Sequence, residues 1–256
     1  MDNEIILESQ NLRKEFGALV AVAGVSVKVG KNTIHSVIGP NGAGKTTFFN
    51  LLSGTLPPTS GKVIFKGKDI THVPVHQTIH LGIGRSFQIT NLFPNLTALE
   101  NVRLACQALG KDSFRFFQSH KQFHKYETQA MAALEEVGLS KRAFSQAKTL
   151  PHGDQRKLEL AMILAPNPEV LLLDEPTAGM AAEQVPELID LIKKVHASGN
   201  KTIILVEHNM NVVMSISDRI TVMHLGEVLA EGSPAEIAAN EMVQKAYLGE
   251  LYSEEK

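Results

Sequence analysis

Cysteine is nearly absent from this chain and tryptophan wholly so: 256 residues include one Cys and no Trp. A lone thiol excludes an internal disulfide and a multi-cysteine metal cluster. Cys106, following Val102-Arg103-Leu104-Ala105, is assigned to packing rather than redox chemistry. Long apolar runs are missing too. Stretches such as residues 170–173 and 203–206 fall far short of the roughly 18 residues a membrane span needs. Met1-Asp2-Asn3-Glu4 does not open like a signal peptide, so a cytosolic protein is expected. Charge of one sign is also lacking. With 25 Lys+Arg against 27 Asp+Glu, the formal net charge is −2; no global field draws the chain to nucleic acid, and no nucleic-acid partner is expected. No repeat or low-complexity segment is visible, and 43% hydrophobic with 20% charged residues describes an ordinary folded domain.

What is present is phosphate chemistry. Gly39-Pro40-Asn41-Gly42-Ala43-Gly44-Lys45-Thr46 spaces its glycines so that bare backbone N–H groups wrap a triphosphate while Lys45 reaches the terminal phosphates. The stretch follows an apolar strand-like run, residues 34–38. It precedes Thr47-Phe48-Phe49-Asn50-Leu51-Leu52, read as a helix whose positive N-terminal end faces the phosphates. By itself the loop leaves the class open, since GTPases, kinases, helicases and transport ATPases all use it.

Period-2 segments at residues 5–8, 25–29 and 62–65, the last closed by the turn Lys66-Gly67-Lys68, predict short antiparallel strands around the loop. Apolar runs at 170–173, 202–206 and 220–224, each preceded by a helical pattern, give the βαβ rhythm of a parallel sheet buried on both faces. Between about residues 90 and 149 the strand signal yields to helices at 98–107 and 128–137, a helical subdomain inserted into the sheet domain. Phe114, Phe116, Phe117 and Phe123 in the polar aromatic stretch between them are read as a packing face and given no site. His120 and His124 stand at i, i+4, a zinc-compatible spacing, but no third ligand accompanies them and no transition metal is expected. Strands at 222–225 and 228–231 and a short helix from Pro234-Ala235-Glu236-Ile237 close the pattern.

Four further elements follow the loop in fixed order. In Arg85-Ser86-Phe87-Gln88 the amide oxygen of Gln88, at a strand end, can reach a bound Mg²⁺ and the attacking water. Leu150-Pro151-His152-Gly153-Asp154-Gln155-Arg156 opens a helix with a second anion-seeking N-terminus. Val170-Leu171-Leu172-Leu173-Asp174-Glu175 sets two carboxylates at the end of a buried strand, Asp174 to hold Mg²⁺ through water and Glu175 to orient and deprotonate the hydrolytic water. Val206-Glu207-His208 ends the next strand with an imidazole placed to touch the γ-phosphate.

This ordered set resembles the ATP-binding subunit of ABC transporters, over nearly the whole chain. The resemblance implies an α/β fold of the P-loop ABC ATPase type: a mixed, mainly parallel sheet core, an antiparallel β subdomain and an inserted helical subdomain. Residues 1–256 would form one such domain, with the core in 1–89 and 158–232, the helical insertion in 90–157 and a helical tail in 233–256. By position, Phe16 would stack on adenine, Gly39 through Thr47 would contact the phosphates, and Thr46, Gln88 and Asp174 would hold Mg²⁺. Glu175 would be the catalytic base, His208 the switch histidine and Gln88 the coupling glutamine. Pro151, His152, Gly153 and Asp154 would close on ATP bound by a second, head-to-tail ATPase subunit, a paralogue or another copy of this chain. Two integral-membrane permease subunits and, indirectly, a periplasmic binding protein would complete the assembly, leaving the chain peripheral on the cytoplasmic face of a bacterial inner membrane.

Two positions depart from the family pattern: Pro151 replaces the signature serine, and Pro176-Thr177-Ala178-Gly179-Met180-Ala181 lacks the usual aspartate. Both departures imply weaker contacts across the dimer. The blocks around Gln88 and Gly153 look most like branched-chain amino acid importers, with urea and amide importers as near relatives. Lipopolysaccharide export uses a similar motor, and a soluble ABC ATPase such as an iron–sulfur assembly factor is the other class. A membrane subunit would dock around Phe93, Pro94 and Leu96.

Overall fold

The structure, a computed structural model, describes residues 4–86, 92–108, 120–199 and 201–251. It opens with two twelve-residue strands, β1 (Ile5–Phe16) and β2 (Leu19–Gly30), paired antiparallel. Sequence periodicity marks only parts of them, and the register explains why. Shifts between Ser9 and Leu12 and between Lys14 and Glu15, with Asn11 and Gly24 at positive φ, interrupt the alternation; each bulge reverses which face the next residue meets. β3 (Ile34–Ile38) then enters a second sheet and feeds the phosphate loop and α1 (Lys45–Leu52). The chain returns as β4 (Ser60–Phe65) and β5 (Lys68–Asp69), completing an antiparallel sheet of order β2-β1-β4-β5. Lys66 at φ 49° and Gly67 at φ 74° form the tight turn between them, as two-residue hairpins favour.

α2 (Val75–Leu81) and β6 (Ile83–Arg85) come next. The sequence reading misses α2, which is shorter than the window in which a repeat becomes visible, while β6 is the short strand expected before Gln88 and ends at Arg85. The insertion contributes α3 (Ala98–Ala108), α4 (His120–Glu136) and α5 (His152–Leu164). Gln88 and residues 109–119 of the aromatic stretch lie outside the described residues, as does the side chain of Phe123. Asn101, wholly buried, fastens the approach to α3: its carbonyl accepts the Phe93 N–H at 2.8 Å and its amide donates to Phe93 O at 3.1 Å and Thr97 O at 2.9 Å. α5 is continuous across residues 157 and 158, so the insertion and the core share a helix. Cys106 is buried among these helices, and burial pushes its thiol up to about 11, consistent with packing.

β7 (Val170–Asp174), α6 (Val185–Gly199), β8 (Thr202–Val206), α7 (Met210–Ile216) and β9 (Arg219–His224) follow in alternation, and β10 (Glu227–Gly232) folds back on β9. The six-stranded sheet has order β10-β9-β3-β8-β7-β6, parallel except for β10. β3, β7 and β8 are buried at every position. Their alternating side chains feed two layers. Leu171, Leu173, Ile203 and Leu205 join the helical insertion and α6 in one apolar cluster; Val170, Leu172, Ile204 and Val206 join Phe48 and Phe49 of α1 and the antiparallel sheet in another. Ser233 and Glu236 form a capping box that starts α8 (Pro234–Ala238), and α9 (Glu241–Leu251) ends the described chain.

One polar side chain inside β3 makes stability pH-dependent. His35 is fully buried, its Nε2 lies 2.7 Å from Thr221 Oγ1, and burial lowers its pKa to about 4. The unfolded chain therefore takes up a proton near 6.5 that the fold resists. Stability is unaffected above that pH and falls as pH drops from 6.5 towards 4, by about 3 kcal/mol at most. Thermal melts across this window should show a shallower acid slope for His35→Gln than for the parent; equal slopes would refute the assignment.

Candidate active site

β3 delivers its chain into a loop that only glycine can follow. Gly39, Gly42 and Gly44 adopt φ of 151°, 76° and 93°. A Cβ on Gly39 would lie 2.1 Å from the Met223 carbonyl oxygen, and one on Gly44 would lie 2.3 Å from that of Ala21. The turn between β9 and β10 braces the loop from outside: Gly226 N–H donates to Ala43 O at 3.1 Å, and Ala23 N–H donates to Gly226 O at 2.8 Å. Gly39 and Pro40 are buried, whereas Asn41 and Gly42 are exposed at the crest. Lys45, 5% exposed, curls back so that its ammonium donates to Gly39 O at 2.6 Å and Pro40 O at 2.8 Å. Thr46 and Thr47 are half-buried in the first turn of α1, where a helix start has its affinity for anions.

The parallel register sets the acids beside this loop. Asp174 ends β7 opposite Val206 of β8, and Glu175 N–H donates to Val206 O at 2.9 Å. Asp174 is 2% exposed, and neither carboxylate oxygen has a hydrogen-bond partner among the described residues. Burial raises its pKa, opposed by the charge of Arg85. A buried carboxylate with its lone pairs unspent suits an oxygen-seeking divalent cation. Glu175 turns into the left-handed region at φ 48°, a conformation that costs a non-glycine residue about 1 kcal/mol and gathers at functional sites. Its Oε1 lies 2.8 Å from His208 Nε2. Beneath them Glu207, 3% exposed, accepts the Thr177 N–H at 3.0 Å and hydroxyl at 2.7 Å on one oxygen, and the His208 N–H at 3.1 Å on the other.

The remaining predicted residues stand on other elements. Phe16 is at the tip of the β1–β2 hairpin, 49% exposed, with the Lys14 ammonium 5.3 Å from its ring. Pro151 is the N-cap of α5 and supplies no side-chain cap; His152 begins the helix. Gly153 is buried, and a Cβ there would meet the Gln184 side chain at 3.2 Å. Asp154 pairs with Arg142 at 3.2 Å and Lys157 at 3.7 Å. Sequence reasoning passed over two residues. Arg85 reaches Asp174 at 3.6 Å, and Glu207 bridges the loops after β7 and β8. A charge inside an otherwise apolar strand end, as in Ile83-Gly84-Arg85 and Leu205-Val206-Glu207, was the available signal.

A phosphate-cradling loop after one parallel strand, with an acid pair at the end of β7 and a histidine just past the end of β8 on the same sheet, defines a P-loop nucleoside triphosphatase. A family model described as "ABC transporter" matches residues 22–178, and one described as "Branched-chain amino acid ATP-binding cassette transporter" matches 227–252. The chain belongs to the ABC transporter family, as one of its ATP-binding, ATP-hydrolysing subunits. It is 43% identical to the high-affinity branched-chain amino acid transport ATP-binding protein BraF of Pseudomonas aeruginosa, over 96% of this chain and 98% of that one. Among solved structures, the ADP conformation of the ATP-binding cassette MJ1267 superposes with a TM-score of 0.83 at 29% identity, covering 96% of this chain and 100% of the other. The dimeric post-hydrolysis cassette MJ0796, bound to ADP and Pi, gives 0.75 at 28% identity, covering 90% and 99%.

Because Gly39 touches the Met223 carbonyl, Gly39→Ala is expected to displace the loop and weaken ATP binding at least tenfold, measured with a fluorescent nucleotide. Retained affinity would refute the packing constraint.

Proposed function

We propose that this chain binds and hydrolyses ATP to energise import of branched-chain amino acids, with the site roles the sequence assigns. The observation that carries the chemistry is the contact between Glu175 and His208 beside the unsatisfied carboxylate of Asp174. Phe16 stacks on adenine, the N–H groups from Gly39 to Gly44 hold the phosphates, and Lys45 exchanges its loop carbonyls for phosphate oxygens, which are stronger acceptors for an ammonium. Thr46, Asp174 and Gln88 would hold Mg²⁺, which when bound would neutralise charge on the phosphate oxygens. Glu175 orients the attacking water and takes its proton, while His208 trades its bond to Glu175 for the γ-phosphate. Two such sites form between head-to-tail subunits, Pro151, His152, Gly153 and Asp154 of each closing on ATP held by the other.

The cargo class rests on the likeness to BraF and on the family match at 227–252. Among the described residues no helix is long and apolar enough to cross a membrane. By the resemblance, two permease subunits carry the substrate. They dock around Phe93, which is 52% exposed, Pro94 and Leu96; an apolar groove of about 290 Å³ lies between α2, α3 and α5, lined by Val75, Ile79, Ala105, Met162 and Ile163.

Glu175→Gln should lower the hydrolysis rate about 10²- to 10⁴-fold while leaving ATP binding within a few-fold, and should trap a nucleotide-dependent dimer in gel filtration with the partner ATPase present. Failure to dimerise would remove the composite site. A strain lacking the gene should lose uptake of labelled leucine and keep that of urea, and complementation with Phe93→Ala should restore ATP binding without restoring uptake. The reverse substrate pattern would assign a different cargo.

A further inference from the structure

Arg85 is the last residue of β6 and a buried guanidinium whose contacts converge on the site from two sides. Its side chain is 10% exposed. On the α1 side one terminal nitrogen donates to Asn50 Oδ1 at 2.5 Å, the other to Thr55 Oγ1 at 2.7 Å and to the Ser53 hydroxyl, and the group lies 5.5 Å from the centre of the Phe49 ring. On the β7 side the nearest oxygen of Asp174 is 3.6 Å away, too far for a hydrogen bond but close enough for strong attraction at 1% exposure of that carboxylate. The next residue adds a backbone latch: Ser86 Oγ accepts the Asp174 N–H at 2.8 Å, and Ser86 N–H donates to Leu172 O at 2.8 Å. Two residues further along the chain is Gln88.

This geometry differs from that of a structural salt bridge. A buried Arg–carboxylate pair that serves packing closes into short, paired N–H···O bonds. Here the two terminal nitrogens donate to neutral oxygens of α1 and beyond, while Nε and both oxygens of Asp174 have no hydrogen-bond partner among the described residues. We propose that Arg85 is a positioning residue, a tethered counter-cation held beside the Asp174 carboxylate that competes electrostatically with the incoming divalent metal. This rests on the assignment of Asp174 to Mg²⁺ given above. Because Arg85 and Ser86 both engage Asp174, the strand that leads to Gln88 is held by the same acid that holds the metal. Metal arrival then weakens the hold on that strand from one side while the Ser86 bond keeps its register.

The test separates charge from structure and does not depend on turnover. A fluorescent non-hydrolysable ATP analogue is titrated into the full chain with EDTA and with saturating Mg²⁺, and the ratio of the two dissociation constants reports metal coupling. Arg85→Met should raise that ratio at least threefold, since the competing cation is gone, with the EDTA value within twofold of the parent. Arg85→Lys keeps the charge but cannot span Asn50, Thr55 and Asp174 together; it should hold the ratio within twofold while lowering the melting temperature. A ratio unchanged or reduced in a folded Arg85→Met, or raised equally in Arg85→Lys, would overturn the proposal. Asp174→Asn serves as the separate control: if it leaves the parental ratio intact, the metal assignment itself has failed.

Discussion

The closeness of two backbone contacts decides whether this chain can hold a nucleotide. At Gly39 and Gly44 the phosphate loop lies so near the carbonyls of Met223 and Ala21 that a single carbon atom would not fit. Those carbonyls belong to β9 and β2, one in each sheet. The loop is therefore shaped at the junction of both sheets, and the rest of the fold serves to bring that junction together: the fully buried parallel strands fix β9 beside β3, and the bulged hairpin brings Ala21 to the loop's other side. Lys45 adds its two carbonyl bonds only after this backbone path exists.

Around the loop, charged groups rest on weak or partial partners. Lys45 donates to two loop carbonyls, Asp174 faces a guanidinium 3.6 Å away, and Glu175 meets His208 from a left-handed backbone. Each arrangement is weaker than the best a protein can make. A ligand bearing phosphate and a divalent cation supplies what is missing, which is why binding energy is available there without rebuilding the core.

The parallel strands were legible in the sequence because burial on both faces writes an unbroken apolar run, and the loop because its glycines are tied to backbone geometry. The hairpin β1–β2 was legible only in pieces, since its bulges reset the period. α2 was too short to show one. The acid pair and His208 could be read from their positions at strand ends, but the partners of Arg85 could not: Asn50, Ser53 and Thr55 lie 30 to 35 residues away in sequence, and only folding makes them neighbours. The substitution of Pro151 was readable as a lost hydroxyl, and the structure adds that α5 starts there without any side-chain cap.

Glu207 carries a mechanical consequence. Its carboxylate grips the amide and hydroxyl of Thr177 with one oxygen and the amide of His208 with the other, in a place water does not reach. Two segments 30 residues apart in sequence are thereby pinned at a common pivot. Any displacement of the His208 backbone would therefore bear, through one carboxylate, on Thr177 in the stretch from Pro176 to Ala181.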